Sequence, residues 1–152
     1  MIKNLIEREI DISAPTTRVW AVLTDPQFLG NWFGNGDPVD LDLRPGGMLV
    51  FDHGVHGALP ARIYAVEPQR LLSFRWSQGV GSGEDPRPDN STLVEITLTS
   101  DNGDTRLQYR ETGFAHLPSL PQDHLATRYE QNSTGLPRKL EQLKDNAEQR
   151  PS

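Results

Sequence analysis

The hydrophobic period of this chain changes once for good. Apart from one short interruption, apolar side chains through Glu111 recur at every second position, whereas from about Gln122 they recur at helical spacing. Most of the alternating runs are separated by breaks of a few residues, among them Pro45-Gly46-Gly47, Pro68-Gln69 and Ser100 to Asp104, and the one longer break between strands, Gln78 to Asn90, has the Gly, Pro and Asp content of a hairpin loop rather than of a crossover helix. Parallel strands need crossovers of a dozen residues or more, and the short breaks cannot supply them. The strands must therefore run antiparallel, as a meander that ends in one long helix.

The runs can be followed in order. Residues Ile2 to Ile12 place Ile6, Ile10 and Ile12 on one face, and Ser13-Ala14-Pro15 ends that strand. Val19, Trp20 and Leu23 sit at helical spacing, Asp25-Pro26 breaks the run, and a second short helical turn is expected through Trp32. Val39, Leu41 and Leu43 alternate with charged residues, and Leu49, Phe51 and His53 follow as the second arm of a hairpin. Further strands are read around Ala61 to Glu67, from Arg70 to Ser77, through Val94, Ile96 and Leu98, and through Leu107, Tyr109 and Glu111. Leu125, Tyr129, Leu136, Leu140, Leu143 and Ala147 make the helical stripe, within which Pro137 is expected to kink or divide the helix. The Gly-, Pro- and Asp-rich segment Gln78 to Asn90 reads as a long hairpin loop bordering a pocket mouth.

Composition narrows the function classes. One domain is the prior for 152 residues, a length that can bury a core without disulfides, and the chain has no cysteine. With 15 basic against 21 acidic residues and a net charge of −6, the electrostatic footprint of a nucleic-acid binder is missing. The first ten residues, MIKNLIEREI, contain no apolar run of signal or membrane-span length, so a cytoplasmic location is the expectation. There is no Gly-x-Ser-x-Gly elbow and no phosphate-cradling glycine loop, which leaves nucleophilic catalysis without a candidate. His53 and His56 are three apart in an extended run and so face opposite ways; no metal and no cofactor is expected.

A set of short motifs falls along nearly the whole chain in a fixed order. They are Ala14-Pro15 with Val19-Trp20, Leu23-Thr24-Asp25-Pro26, Trp32-Phe33, Asp42-Leu43-Arg44-Pro45-Gly46-Gly47, and Val66-Glu67-Pro68 with Arg70-Leu71. Phe74 and Trp76, Thr105-Arg106-Leu107, Gly113-Phe114, and Gly135-Leu136 with Leu140 and Leu143 complete the set. In this order they resemble the activator-of-Hsp90-ATPase-homologue branch of the START-like, or Bet v 1-like, superfamily. The family usually has Gly-Trp in its final helix, where this chain has Gly135-Leu136 followed by Pro137. The resemblance implies an α+β helix-grip fold: a curved antiparallel sheet of six to seven strands wrapped around a long C-terminal helix, with two short helices after the first strand. It implies one such domain over residues 1–148, with 149–152 as a disordered tail.

Function has to be argued from the space between sheet and helix, because this fold hosts carriers, enzymes and co-chaperone domains. Alternation nominates its lining. Phe51 and His53 share a face, Tyr109 and Glu111 share another, and Arg8 falls among the inward isoleucines. Because the fold sets its first and last strands side by side, Arg8 is expected within reach of Glu111, most simply as a structural ion pair. Trp32, Phe74, Trp76 and Tyr129 complete the candidate ligand-binding set of Arg8, Trp32, Phe51, His53, Phe74, Trp76, Tyr109, Glu111 and Tyr129. Burial would raise the Glu111 pKa and a neighbouring Arg8 would lower it, so the net sign depends on which dominates.

Three readings stand. The first is a module that binds a small hydrophobic or aromatic molecule; the second is a co-chaperone-like interaction domain with an Hsp90-type partner; the third is a cavity enzyme such as a cyclase or aromatase. No nucleic acid and no membrane span is expected, and exposed strand edges allow a homodimer.

Overall fold

The computed structural model describes residues 5–28, 40–52, 58–77, 91–113 and 122–148. Its sheet has seven strands: β1 (Leu5–Ile12), β2 (Asp40–Leu41), β3 (Met48–Asp52), β4 (Ala58–Glu67), β5 (Leu71–Ser77), β6 (Ser91–Asp101) and β7 (Asp104–Thr112). All neighbours are antiparallel, in the order β1-β7-β6-β5-β4-β3-β2. Six strands follow one another as the meander expected from the short breaks, and β1 closes onto β7. The architecture is the α+β helix-grip arrangement.

The turns show why the chain reverses where it does. Between β6 and β7, Asn102 and Gly103 have φ of 53° and 88°, the paired positive values of the tight hairpin turn whose twist matches its strands. At Gly47 a Cβ would lie 2.0 Å from the Asp42 carbonyl oxygen, so only glycine fits. The same segment is knit by Arg44 Nε to Asp42 Oδ2 at 2.8 Å and by Gly46 and Gly47 bonding to the Ile63 backbone at 2.8 Å each. The Asp42 to Gly47 motif is thus a strand-spacing device.

Helix α1 (Thr16–Leu23) starts where Pro15 leaves the extended region, its carbonyl accepting from the N–H groups of Arg18 and Val19. Thr24 closes it by bonding the Trp20 carbonyl through both N–H and hydroxyl. Asp25 then accepts from the N–H groups of Gln27 and Phe28 at 2.8 and 3.2 Å, with Pro26 at the first helical position. Asp25-Pro26 is therefore both the stop of one helix and the start of the expected second turn, of which residues 26–28 are described.

Helix α2 (Gln122–Glu148) runs unbroken through Pro137, so the division allowed for in the sequence reading does not occur. Pro137 has no N–H to return to the Ser133 carbonyl. That single loss is outweighed by packing, for Leu136, Leu140, Leu143 and Ala147 are all buried, each large apolar side chain contributing roughly 1.5–3 kcal/mol. At the far end, Arg18 of α1 donates to the carbonyls of Asn146 and Ala147, at 3.1 and 3.4 Å, which the end of the helix leaves without intrahelical donors. Glu148 accepts from the Ser13 N–H at 2.8 Å and pairs with Lys144. Both partners hold the Glu148 carboxyl below its ordinary pKa, Lys144 most strongly.

The core lies between α1, α2 and the inner face of the sheet. Ile6, Ile12, Ile63, Leu72, Phe74, Val94, Ile96 and Leu107 are at most 2% exposed, and the stripe of α2 packs into the same cluster.

Candidate functional site

Inward residues of β5, β6 and β7 converge on one acid. Glu111 is fully buried, with no exposed surface, and the register sets it opposite Ile6 of β1 on one side and Val94 of β6 on the other. Thr92, also fully buried, donates its hydroxyl to Glu111 Oε2 at 2.6 Å. Tyr109, two residues along β7 and therefore on the same face, donates its phenol to Oε1 at 3.0 Å. Around this network stand Trp76, opposite Thr92, and Phe74, opposite Val94, both buried.

The electrostatics follow from that enclosure. Burial, then the charge and hydrogen bond of Glu111, push the Tyr109 phenol well above its ordinary pKa of 10.0, so it stays protonated and remains a donor. A carboxyl held by two hydroxyls amid aliphatic and aromatic side chains is costly to bury relative to an apolar residue, and such groups collect at functional sites.

The sequence-nominated residues divide into three groups. Phe74, Trp76, Tyr109 and Glu111 come together as expected. Arg8 does not join them. The register puts Arg8 opposite Tyr109 and Ile6 opposite Glu111, and Arg8, on an edge strand, is exposed. Its guanidinium donates to the Glu7 carbonyl at 2.7 Å and to Ser133 Oγ of α2 at 3.4 Å, so the expected ion pair with Glu111 is replaced by a link from strand to helix. Tyr129, half-buried, makes a parallel link by donating to the Leu5 carbonyl at 3.1 Å. Trp32, His53 and the loop Gln78 to Asn90 lie outside the described residues, as do Leu29, Phe33, His56 and the tail 149–152; Phe51 lies on β3, opposite Leu59, with its side chain likewise outside the description.

Thr92 was not nominated from the sequence, although a signal existed. It shares the parity of Val94, Ile96 and Leu98, so extending that alternation by one step places its hydroxyl inside. Two recesses lined by described residues lie elsewhere. One, of about 420 Å³, is on the outer face of the sheet among Glu7, Glu9, Glu95, Gln108 and Arg110 and also touches Arg8 and Tyr109; the other, of about 390 Å³, is between α1 and the end of α2, beside Arg18, Phe28 and Asn146. Among the described residues no group of three or more histidines or carboxylates stands close enough to hold a metal ion. No described helix is long and apolar enough to cross a membrane.

Residues 13–148 match the family described as Activator of Hsp90 ATPase homolog 1-like protein. The chain belongs to that family. No curated protein matches it at the sequence level. Solved structures similar to it include protein MLL2253 from Mesorhizobium loti, with a TM-score of 0.72 at 22% identity, covering 93% of this chain and 95% of that one. The Aha1 dimer from Colwellia psychrerythraea superposes with a TM-score of 0.71 at 18% identity, covering 97% of each chain. DynU16, a protein of the dynemicin biosynthetic locus, is 25% identical with a TM-score of 0.68, the match covering 95% of this chain and 47% of that one. Within the activator-of-Hsp90-ATPase-homologue family, the chain thus has the shared fold and carries the Glu111 network on its last strand.

Proposed function

We propose that this protein is a binding module for a small, mostly apolar organic molecule, held between the inner face of the sheet and α2. The observation that carries the reading is Glu111, a carboxyl with no exposed surface that is bonded by Thr92 and Tyr109 among Phe74, Trp76, Ile6 and Val94. Ligand sites are largely apolar with a few directed polar groups, and this is such a composition. The likeness to a protein of a biosynthetic locus supports a small organic molecule as the class of ligand. Phe51 and His53 belong to the same proposed lining by alternation and Trp32 by its place in the aromatic cluster after α1, with Tyr129 and Arg8 at its rim, where they link β1 to α2.

Native mass spectrometry of the purified protein, with identification of whatever denaturation releases, tests the reading. A co-purifying organic molecule, lost or weakened in Phe74→Ala, supports it. A bare mass together with no binding from a panel of aromatic compounds would overturn it in favour of a protein-interaction domain. Retention of an Hsp90-type chaperone on the immobilised protein is then the next assay, the family name being what supports that reading. Turnover of a bound compound that Glu111→Gln abolishes without loss of affinity would move the protein to the enzymes.

A further inference from the structure

Helix α2 is fastened unequally along its length. In its second half Leu136, Leu140, Leu143 and Ala147 are buried, and the last turn is tied to α1 by Arg18 and to Ser13 by Glu148. Among the described side chains from Ala126 to Thr134, none is buried. The bonds that join this first half to β1 include those from Tyr129 to the Leu5 carbonyl, at 3.1 Å, and from Arg8 to Ser133 Oγ, at 3.4 Å.

Between the two halves stand the residue types least suited to a helix interior, Gly135 and Pro137. The packing requires neither of them. A Cβ at Gly135 would meet nothing within 4 Å, and the φ of this residue is not in the left-handed region, so alanine would fit. Pro137 is exposed, and its ring therefore fills no core. Its missing N–H leaves the Ser133 carbonyl without its helical donor, and Ser133 is the residue that Arg8 holds. Sharp helix kinks form at such residues, and a local rule broken with no gain in packing is characteristic of a functional position.

We propose that α2 is hinged at Gly135 to Pro137. Its first half, residues 122–134, is an arm that swings away from β1 while Arg138 to Glu148 stays anchored, and the bonds made by Tyr129 and Arg8 are the latch that keeps the arm closed. The latch meets β1 at Leu5 and Arg8, on either side of Ile6, whose partner across the sheet is Glu111. Opening therefore parts α2 from β1 beside Ile6. The motion needs no ligand, so it stands or falls apart from the binding reading above.

A chain without cysteine accepts spin labels on introduced cysteines alone, which makes the motion measurable by double electron–electron resonance. One label goes on Thr99→Cys of β6 and the second on Ala126→Cys of the arm or, as a control, on Glu141→Cys of the anchored half; all three positions are exposed. Ala126 lies nine residues before Gly135, about 14 Å along the helix, so a kink of about 20–30° moves it by roughly 5–7 Å. The Ala126 pair is expected to show two distances and the Glu141 pair one. Arg8→Ala combined with Tyr129→Phe should raise the open fraction about fivefold or more, the net effect of losing two hydrogen bonds. Gly135→Ala combined with Pro137→Ala restores the missing helical bond and should remove the second distance. Each variant is first shown to fold by circular dichroism. A single Ala126 distance that persists when the latch is cut overturns the proposal. So does a broad, continuous distribution, the mark of a fraying helix, or a second distance that the double alanine variant retains.

Discussion

Strand β7 carries carboxylate partners on both its faces, and the two sets could hardly be treated more differently. Outward, Arg106 meets Asp11 at 3.1 Å and Glu9 at 3.3 Å across the β1 pairing, with all three side chains 47% exposed or more. Asp11, then Glu9, hold the Arg106 pKa above its ordinary value, but water screens these charges and rearranges around them. Inward, on the opposite face, Tyr109 of the same strand and Thr92 of β6 hold Glu111, which has no exposed surface. The outer pairs stay in water at little cost; the inner group is held at a cost that packing alone would not require. An acid on a strand is informative about function only through what surrounds it.

The difference between the faces can be tested, and the largest effect is expected from the apolar wall. Phe74→Ala should cost about 3–5 kcal/mol, the usual range for emptying a buried aromatic site, read as the midpoint of urea denaturation followed by tryptophan fluorescence. A loss under about 1 kcal/mol would mean that this face is not a packed core in solution.

Removing the phenol is expected to come next. Tyr109→Phe takes away a hydroxyl that donates to a buried carboxyl, a loss of about 1.5–3 kcal/mol. The variant should also alter the alkaline limb of stability. Because the folded-state pKa of Tyr109 is raised, the unfolded chain gives up its phenolic proton first; this stabilisation is complete below pH of about 10 and is lost as pH rises beyond it. Wild-type unfolding should therefore show a steep alkaline fall that is shallower in Tyr109→Phe, and identical alkaline limbs would contradict the buried setting of this phenol.

Two threonines on β6 give a sharper contrast. Thr92→Val leaves the Glu111 carboxyl short of one donor and should destabilise by about 1–2 kcal/mol, whereas Thr97→Val, on the outward parity, should stay within about 0.5 kcal/mol. Equal effects would erase the distinction between faces. The smallest change belongs to Arg106→Gln, expected to leave the denaturation midpoint within experimental scatter at 0.15 M salt, about physiological, despite two ion pairs.

Much of this arrangement is legible from the chain because β-strands have a period of two. Once Leu107 is inward, Tyr109 and Glu111 must be, and once Ile6 and Ile12 are inward, the helix stripe of Leu136, Leu140 and Leu143 has a surface to meet. Where the reading failed, it did so for a physical reason. Parity gives the side of the sheet to which a residue points, not the destination of a long flexible side chain. Arg8 has the right parity yet sits on an edge strand, where its guanidinium turns to the Glu7 carbonyl and to Ser133 rather than inward to Glu111. Of the two effects expected from Pro137, division of the helix does not occur, because the buried leucines on the same helix act through tertiary contact that the missing hydrogen bond does not reveal. Thr92 was passed over because a threonine in a strand usually signals β propensity and not a polar anchor.

The links that Tyr129 and Arg8 make have a bearing on how copies of this protein can meet. The carbonyls of Leu5 and Glu7 stand two residues apart and so project to the same side of β1, the strand that borders the sheet. Both are already receiving hydrogen bonds from side chains, one from α2 and one from a residue of β1 that is itself tied to α2. A strand from a second molecule would have to displace a phenol and a guanidinium before it could zip onto this border, so the edge resists templated growth even though its backbone lies at the rim of the sheet.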